Sequence, residues 1–239
     1  MEVSGSVMIV TGASAGIGAA TARAASRAGA RLVLAARDGA RLEALAEEMT
    51  NAVVVPTDMR QPDDIRRLVE TAVDECGRVD VLVNNAGQGL HVPVEQIRLD
   101  DLIAITELNF YGTLLAMQAV IPLMRSAGGG CIVNVSSGTT RLGVSVGAGG
   151  YAATKAALNM LSRTARAELA DDGIVVSTVY PFVTATDFHD TLRAGAISSA
   201  GRKFEPDTAE RVADAILDLV RSGEEEAVLV PEQLRGHMP

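Results

Sequence analysis

The sequence predicts a single α/β domain with a doubly wound parallel sheet of about seven strands and helices on both faces. The chain has 239 residues, a length that suits one large domain, and 48% of them are hydrophobic, enough for a sizeable core. Short apolar runs alternate along the chain with longer stretches of helical periodicity. The short runs are almost continuously apolar, as expected of strands that helices cover on both faces. We find no linker, repeat or low-complexity tract, so residues 1–239 are expected to form one domain.

The predicted elements alternate from one end of the chain to the other. The strand candidates are Val7–Val10, Arg31–Ala36, Val53–Pro56, Val79–Asn84, Cys131–Ser136, Val175–Tyr180 and Ala227–Val230. The helix candidates are Ala19–Ala28, Ala40–Met49, Pro62–Glu75, Asp100–Ser126, Ala152–Asp171 and Asp207–Ser222. Gly29 suits a helix stop, and Asp63 and Asp207 suit first turns, where acids oppose the helix dipole. Right-handed crossovers then place the carboxyl ends of all strands at one edge, where ligands bind in such sheets.

Composition and charge exclude several classes of partner. A formal net charge of −9 argues against nucleic acid or an anionic membrane surface. No apolar segment approaches the roughly 20 residues that span a bilayer. Cys76 and Cys131 match no metal or redox spacing, so we expect two free thiols in a cytoplasmic protein. His91 has no second His or Cys at ligand spacing, and no metal is expected.

A glycine-rich turn follows the first predicted strand. Thr11–Gly18 reads TGASAGIG, and a predicted helix comes next. Glycines at 12, 16 and 18 allow a tight turn and a close approach of the backbone to a pyrophosphate, which the helix amides attract. Ser14, Ala15 and Ile17 complete the turn as candidate contacts. In this position the turn predicts a dinucleotide-binding, Rossmann-type domain.

The same residues also match the nucleophile elbow of α/β-hydrolases. Gly12 to Gly16 reads G-x-S-x-G, with Ser14 as the nucleophile, and Asp187 with His189 or His237 are the only candidate partners. A hydrolase needs strands before its elbow, and only about six residues precede the first strand here. The hydrolase hypothesis therefore fails on position.

The end of the second strand indicates which dinucleotide binds. An NAD site places an acid there, whereas this chain has Ala36 followed by Arg37. A small residue beside an arginine leaves room for a 2′-phosphate and supplies a charge-assisted hydrogen bond. The sequence thus predicts NADP(H). NAD(H) stays as the alternative, because Ala15 is not basic and Asp38 can turn inward.

Taken together, the motifs resemble the short-chain dehydrogenase/reductase family over almost the whole chain. They occur in order: the glycine turn, Asp58 after the third strand, Asn84-Asn85-Ala86-Gly87, Asn109 in a helix, Ser137 at a strand end, and Tyr151 with Lys155 in a Y-x-x-x-K spacing. The glycine spacing is that of the short, single-domain branch.

The resemblance implies the functional residues. The catalytic set is Asn109, Ser137, Tyr151 and Lys155. The cofactor contacts, with those derived above, are Gly12, Ser14, Ala15, Gly16, Ile17, Gly18, Arg37, Asp58, Met59, Asn85, Ala86, Gly87, Tyr151, Lys155, Pro181, Phe182, Thr184 and Thr186. The chain departs from the family at Phe182, where a glycine is usual after the proline. A ring there narrows the substrate pocket or alters the nicotinamide pose.

The four catalytic residues suit hydride transfer between a cofactor and a carbonyl or secondary alcohol. Lys155 lies four residues after Tyr151, on the same face of a helix, so its charge is expected to lower the tyrosine pKa toward neutrality. Ser137 would stabilise the charge on the substrate oxygen, and Asn109 would support a water that connects Lys155 to solvent. The family assigns the nicotinamide ribose to Lys155. The alternative from another class is a non-catalytic NADP(H) sensor or scaffold that retains these residues.

The substrate is expected between Gln88–Val92, Arg141–Gly143 and Phe182, under a lid formed by residues 187–205. Arg141, Arg193, Arg202 and Lys203 are either contacts for an anionic substrate or, preferably, solvated loop charges. Family members commonly pair the helices Asp100–Ser126 and Ala152–Asp171 between subunits. We therefore expect a homo-oligomer, a dimer or a homotetramer.

Overall fold

The computed structural model describes residues 1–141, 144–197 and 205–231. Its centre is one parallel seven-stranded sheet in the order β3-β2-β1-β4-β5-β6-β7. The strands are β1 (Val7–Thr11), β2 (Arg31–Ala36), β3 (Ala52–Pro56), β4 (Val81–Asn84), β5 (Gly130–Val135), β6 (Ile174–Tyr180) and β7 (Glu226–Val228). This is the predicted doubly wound Rossmann fold, and its seven parallel strands confirm the prediction.

Helices connect the strands and cover both faces of the sheet. They are α1 (Gly16–Arg27), α2 (Gly39–Ala46), α3 (Pro62–Cys76), α4 (Leu99–Thr106), α5 (Gly112–Ser126), α6 (Gly149–Glu168) and α7 (Ala209–Ser222). As predicted, Gly29 follows α1 with a φ of +87°, and Asp63 lies in the first turn of α3. Among the described residues, we find no helix both long and apolar enough to cross a membrane.

Successive residues of a strand contribute to two separate hydrophobic cores, because their side chains point to opposite faces of the sheet. Val10 belongs to the core that α1, α2 and α7 cover, whereas Ile9 belongs to the core under α3, α5 and α6. Both side chains are fully buried. Burying a side chain of this size contributes about 1.5–3 kcal/mol. Cys131 is buried in the first of these cores, as a small apolar residue.

Two predicted helices differ from the structure. The stretch Asp100–Ser126 was expected to be one regular helix, but residues Glu107–Tyr111 form a π-helical turn between α4 and α5. Asp207 was expected in the first turn of a helix that in fact begins at Ala209. Thr208 caps this helix by accepting a hydrogen bond from the amide of Arg211, and Asp207 forms an ion pair with the Arg211 side chain. Hydrophobic periodicity does not reveal a one-residue bulge or the identity of a cap.

The strand order reverses direction between β1 and β4. The chain runs from β1 outward to β3 and then returns to place β4 on the other side of β1. The connections after these two neighbours therefore diverge to opposite faces and leave a crevice at the carboxyl edge of the sheet. Thr11 ends β1 and Asn84 ends β4, so the glycine turn and the Asn-Asn-Ala-Gly segment flank this crevice.

Candidate active site

A cavity of about 850 Å³ runs along the carboxyl edge of the sheet. It brings together almost all residues that the sequence analysis proposed. The predicted residues that line it are Gly12, Ser14, Ala15, Gly16, Ile17, Arg37, Asp58, Met59, Asn85, Ala86, Gly87, Ser137, Tyr151, Lys155, Pro181, Phe182, Thr184 and Thr186. Two predicted residues, Gly18 and Asn109, do not line the cavity. The cavity thus extends from the glycine turn and the end of β2 to the Tyr151 helix.

The glycine turn is packed so tightly that side chains are excluded. A Cβ at Gly18 would overlap the carbonyl oxygen of Gly12. Gly12 itself has a φ of +66°, and a Cβ there would lie 2.9 Å from the Cα of Ala86. Most of this turn also lines the cavity, and α1 begins within it at Gly16. This geometry fits a dinucleotide pyrophosphate.

Thr11 holds the two sides of the crevice together. Its hydroxyl donates to the carbonyl of Val83 at 3.2 Å and accepts hydrogen bonds from the amides of Asn85 at 3.0 Å and Ala86 at 3.1 Å. The side-chain amide of Asn85 donates back to the carbonyl oxygen of Thr11 at 2.9 Å. The segment after β4 is therefore fixed relative to the glycine turn, which presets the width of the crevice.

The end of the cavity at β2 and β3 is rich in charged side chains. Arg37 is exposed there, and Asp38 is the cap of α2, since its carboxylate accepts the amide of Arg41 at 3.1 Å. Asp58 forms a fork-shaped ion pair with Arg60 at 2.6 Å, and this guanidinium holds the Asp58 pKa below its usual range. Capping keeps Asp38 engaged with its own helix.

Ser137 and Tyr151 meet at the opposite end. Ser137 Oγ accepts hydrogen bonds from the amide of Thr139 at 3.2 Å and from its hydroxyl at 3.0 Å. Both lone pairs of the serine oxygen are thus engaged, and its proton is free to be donated. Burial raises the Tyr151 pKa to about 12, and the neighbouring Ser137 side chain lowers it by a smaller amount.

Lys155 does not lower the Tyr151 pKa in this structure, contrary to the expectation from their spacing. Its Nζ donates to the carbonyl oxygen of Val135 at 2.8 Å and lies 6.0 Å from the centre of the Tyr151 ring. The side chain is buried, with 4% of its surface exposed, and burial lowers the Lys155 pKa to about 8. The two residues share a helix face as predicted, but the ammonium points toward the end of β5.

Asn109 lies in the π-helical turn and is completely buried. Its Oδ1 accepts the amide of Gln88 at 2.9 Å, and its Nδ2 donates to the carbonyl of Gln88 at 3.0 Å and to Thr154 Oγ1 at 3.1 Å. The extra residue of a π turn redirects the side chains around it, and such turns are frequent at functional sites. Asn109 thereby connects the loop after β4 to helix α6.

Phe182, the departure from the family pattern, packs on the loop that follows Ser137. A Cβ at Gly138 would lie 2.6 Å from the Phe182 ring, so the ring rests directly on this glycine. Thr186 packs against Gly16 of the glycine turn, and its hydroxyl accepts the amide of Phe188 at 3.4 Å. The segment after β6 therefore spans the cavity from the serine loop to the glycine turn.

The described part of the expected lid covers Tyr151. The Phe188 ring lies 5.8 Å from the Tyr151 ring, and Phe188 and Leu192 both pack against Gly89. The amide of His91 donates to the carbonyl of Ala194 at 3.0 Å, which joins the lid to the loop after β4. Residues 198–204, with Arg202 and Lys203, lie outside the described residues, as do residues 142–143 of the expected substrate loop and His237.

Two arginines considered for an anionic substrate form ion pairs with acids of this chain; Arg193 is solvent-exposed, as preferred above, and Arg141 is half-buried. Arg141 pairs with Glu226 and stacks on the Tyr180 ring, 4.0 Å from its centre. Arg193 pairs with Asp101 of α4 at 2.8 Å. In both cases an acid from a distant part of the chain neutralises the arginine, and a single sequence does not reveal such pairs.

Sequence reasoning missed several functional candidates. Arg41 and Arg60 both line the cavity beside Arg37, and Arg60 directly follows Met59 in the chain. A count of basic residues after β2 and β3 would have found them. Thr154 gave no signal, because a threonine between Tyr151 and Lys155 is unremarkable until its hydroxyl is seen to meet Asn109.

The family model for short chain dehydrogenases matches residues 6–196. The chain belongs to the short-chain dehydrogenase family of oxidoreductases. It is similar to an uncharacterized oxidoreductase of Staphylococcus haemolyticus, 34% identical over 218 residues that cover 90% of this chain and 91% of the relative.

Two solved structures have a similar backbone fold. A 3-ketoacyl-(acyl-carrier-protein) reductase from Brucella melitensis, complexed with NADH, matches with a TM-score of 0.86, 27% identity, and coverage of 95% of this chain and 97% of that one. An alcohol dehydrogenase from Thermococcus sibiricus, complexed with 5-hydroxy-NADP, matches with a TM-score of 0.83, 27% identity, and coverage of 94% and 95%.

Membership of the short-chain dehydrogenase family also argues against the hypothesis that the protein is an α/β-hydrolase. A nucleophile elbow holds its serine in a strained turn. Within the described ranges, no residue other than glycine has a positive φ, so Ser14 carries no such strain. Likewise, no cluster of three or more metal-binding side chains occurs among the described residues.

Proposed function

We propose that the protein is an NADP(H)-dependent oxidoreductase that interconverts a carbonyl and a secondary alcohol, with Tyr151 as general acid and base. The observation that carries this proposal is the convergence of Ser137, Tyr151 and Lys155 on one end of the cavity whose other end holds the glycine turn. The glycine turn fits a dinucleotide, because it lines this cavity and leads into the first turn of α1, whose amides attract a pyrophosphate.

The bound cofactor supplies or accepts the hydride. In reduction, the oxygen of the substrate gains negative charge and needs a proton. Tyr151 keeps its proton at neutral pH, since its pKa is about 12, and it lies beside Ser137 to deliver that proton. The Ser137 hydroxyl, which has its lone pairs occupied by Thr139, donates a second hydrogen bond to the same oxygen.

Lys155 and Asn109 complete the proposed proton route. A Cβ at Gly87 would lie 3.2 Å from Asn109 Oδ1 and 3.5 Å from Lys155 Nζ, so the two polar atoms border one small volume. Asn109 Oδ1 keeps a second lone pair after accepting the Gln88 amide. This arrangement suits a water held between Asn109 and Lys155, and the Lys155 ammonium would hold the nicotinamide ribose of a bound cofactor.

The two solved relatives, complexed with NADH and with an NADP derivative, do not distinguish the two cofactors, so the preference for NADP(H) rests on residues of this chain. Ala36 ends β2 without an acid, and Arg37 follows at the mouth of the cavity. Asp38, the residue that would favour NAD(H), is occupied as the cap of α2. Arg41 and Arg60 line the same end, but each forms an ion pair, with Asp38 and Asp58 respectively, which leaves Arg37 as the arginine that carries the preference.

We also propose a cytoplasmic homo-oligomer. Both cysteines are free thiols. Four large apolar side chains, exposed on α4, the π-helical turn and α6, support the association: Leu99 (68%), Ile103 (45%), Tyr111 (52%) and Met160 (62%). A monomer mass by light scattering would contradict the oligomer. A dimer or tetramer that Ile103→Glu converts to a monomer would support it.

The experiment that tests the function is turnover of a broad panel of ketones and aldehydes with NADPH and NADH in parallel, alongside cofactor affinity by fluorescence. We expect turnover with NADPH and weaker binding of NADH. Tight NADPH binding without turnover of any carbonyl or alcohol would favour the sensor or scaffold alternative. Equal affinity for the two cofactors would contradict the role of Arg37.

A further inference from the structure

Asn159 lies on the same face of α6 as the two proposed catalytic side chains. Tyr151, Lys155 and Asn159 follow one another at intervals of four residues, so they are stacked along the helix. The Asn159 side chain is half-buried, and it contacts residues on both sides of Ser137. Ser136 Oγ donates to Asn159 Oδ1 at 2.5 Å, and Asn159 Nδ2 donates to Thr140 Oγ1 at 3.0 Å.

The contact with Thr140 continues to the catalytic serine. Thr140 Oγ1 donates to the carbonyl oxygen of Ser137 at 2.8 Å, and the Thr140 amide donates to the same oxygen at 3.1 Å. Because Thr140 Oγ1 accepts a hydrogen bond from Asn159 Nδ2, the hydroxyl proton of Thr140 points toward the carbonyl oxygen of Ser137. One side chain of α6 thus clamps the short turn Gly138–Thr140 from both ends.

The clamp requires a side chain that accepts at one atom and donates at the other. An amide does both, whereas a carboxylate only accepts, and an aliphatic side chain of the same size does neither. The direction of the hydrogen bonds is therefore specific to asparagine at this position. Ser136 is buried, so loss of its acceptor leaves a hydroxyl without its partner.

We propose that Asn159 is a positioning residue for Ser137. It sets the distance between the serine turn and the helix that carries Tyr151, and so keeps the serine hydroxyl within reach of the tyrosine and the substrate oxygen. This inference rests on the proposed function in assigning Ser137 to the substrate oxygen. A shift of about 1 Å in such a group can cost about 100-fold in rate.

The test compares three variants with the wild-type protein. Asn159→Leu removes both hydrogen bonds and keeps the branched shape and the number of side-chain heavy atoms. Asn159→Asp retains the acceptor for Ser136 and loses the donor to Thr140, and it replaces the leucine variant if that variant fails to fold. Thr164→Val is the matched control, since Thr164 is exposed on the same helix and lies two turns beyond Lys155.

We expect kcat to fall at least about 10-fold in Asn159→Leu and by less in Asn159→Asp, while Thr164→Val retains the wild-type value. The NADPH dissociation constant should change less than about twofold in all three, because Asn159 does not line the cofactor cavity. The activity of Asn159→Asp relative to wild type should rise as the pH falls, since a protonated carboxyl can again donate to Thr140.

A wild-type kcat in both Asn159 variants would overturn the proposal, and so would a loss of NADPH affinity equal to the loss of kcat. Crystal structures of the wild type and Asn159→Leu test the positioning role of Asn159 independently of the proposed function. If the wild type reduces no carbonyl, the proposed function fails, but a Ser137 turn displaced from Tyr151 in the variant still supports the clamp. An unmoved turn contradicts it.

Discussion

Asn109 Nδ2 donates a 3.1 Å hydrogen bond to Thr154 Oγ1 and so ties the π-helical turn to the helix of Tyr151 and Lys155. Thr154 Oγ1 in turn donates to the carbonyl of Tyr151 at 2.8 Å. Both side chains are buried. The loop after β4, the π turn and the catalytic helix are thereby joined at one point.

Thr154→Val removes this connection without changing the size of the side chain. We expect it to destabilise the protein by about 1–3 kcal/mol, because the Asn109 amide loses a buried acceptor. We also expect kcat to fall about 10-fold, since Asn109 is freed to shift from Lys155. Denaturant unfolding and steady-state kinetics measure the two effects, with Thr164→Val as the exposed control. Unchanged stability and kcat would show that the hydrogen bond has no role.

Arg37→Ala should weaken binding of NADPH and leave NADH unaffected. A hydrogen bond to a charged group contributes about 1.5–3 kcal/mol, which corresponds to roughly a 10- to 100-fold rise in the NADPH dissociation constant. Ala36→Asp should go further and reverse the preference, because the new carboxylate repels the 2′-phosphate and accepts from ribose hydroxyls. Arg66→Ala, an exposed arginine on α3, serves as the control. An equal loss of affinity for NADPH and NADH in Arg37→Ala would indicate that Arg37 does not contact the 2′-phosphate.

The pH profile should report Lys155. Burial lowers its pKa to about 8, so the side chain is charged below that pH and neutral above it. If the ammonium holds the cofactor, kcat/KM for NADPH falls as the pH rises through about 8, since this parameter reports groups of the free enzyme. Lys155→Arg keeps its charge and should move the fall to higher pH or abolish it. A profile that is flat to pH 10 in the wild type would remove Lys155 from cofactor binding.

Phe182 and Gly138 should behave as a coupled pair. In Gly138→Ala the new methyl group meets the Phe182 ring, which must then move, and the Ser137 turn moves with it. We expect about a 10-fold loss of kcat/KM in Gly138→Ala and little additional effect of that change in a Phe182→Ala background. A double-mutant cycle measures the coupling. Strictly additive effects would indicate that the ring does not constrain the serine turn.

The sheet was predictable because its strands are short apolar runs rich in β-branched residues, which alternate with longer helical stretches. The glycine turn was equally predictable, since its three glycines follow the first apolar run at the spacing of a dinucleotide-binding turn, and the structure leaves no space for a Cβ at Gly12 or Gly18. The π turn at Asn109 was missed, because one extra residue does not alter hydrophobic periodicity. The partners of Arg141 and Arg193 were missed as well, since Glu226 and Asp101 are distant in the chain.

The expected effect of Lys155 on Tyr151 failed for a different reason. Spacing places two side chains on one helix face but does not determine where a flexible ammonium group points. Here the Lys155 ammonium donates to the carbonyl oxygen of Val135. Burial then has the largest effect on the pKa values of both Tyr151 and Lys155. The proposed chemistry does not depend on a low tyrosine pKa in the direction of reduction, where Tyr151 gives up a proton.

The most direct test of the account is Tyr151→Phe measured with NADPH and a carbonyl that the wild type reduces. The substitution removes only the phenol oxygen and leaves the ring against Phe188. We predict that kcat falls at least about 100-fold, as for loss of a general acid, while the NADPH dissociation constant stays within about twofold of the wild type. Substantial residual turnover with unchanged NADPH affinity would contradict the role of Tyr151 as the proton donor.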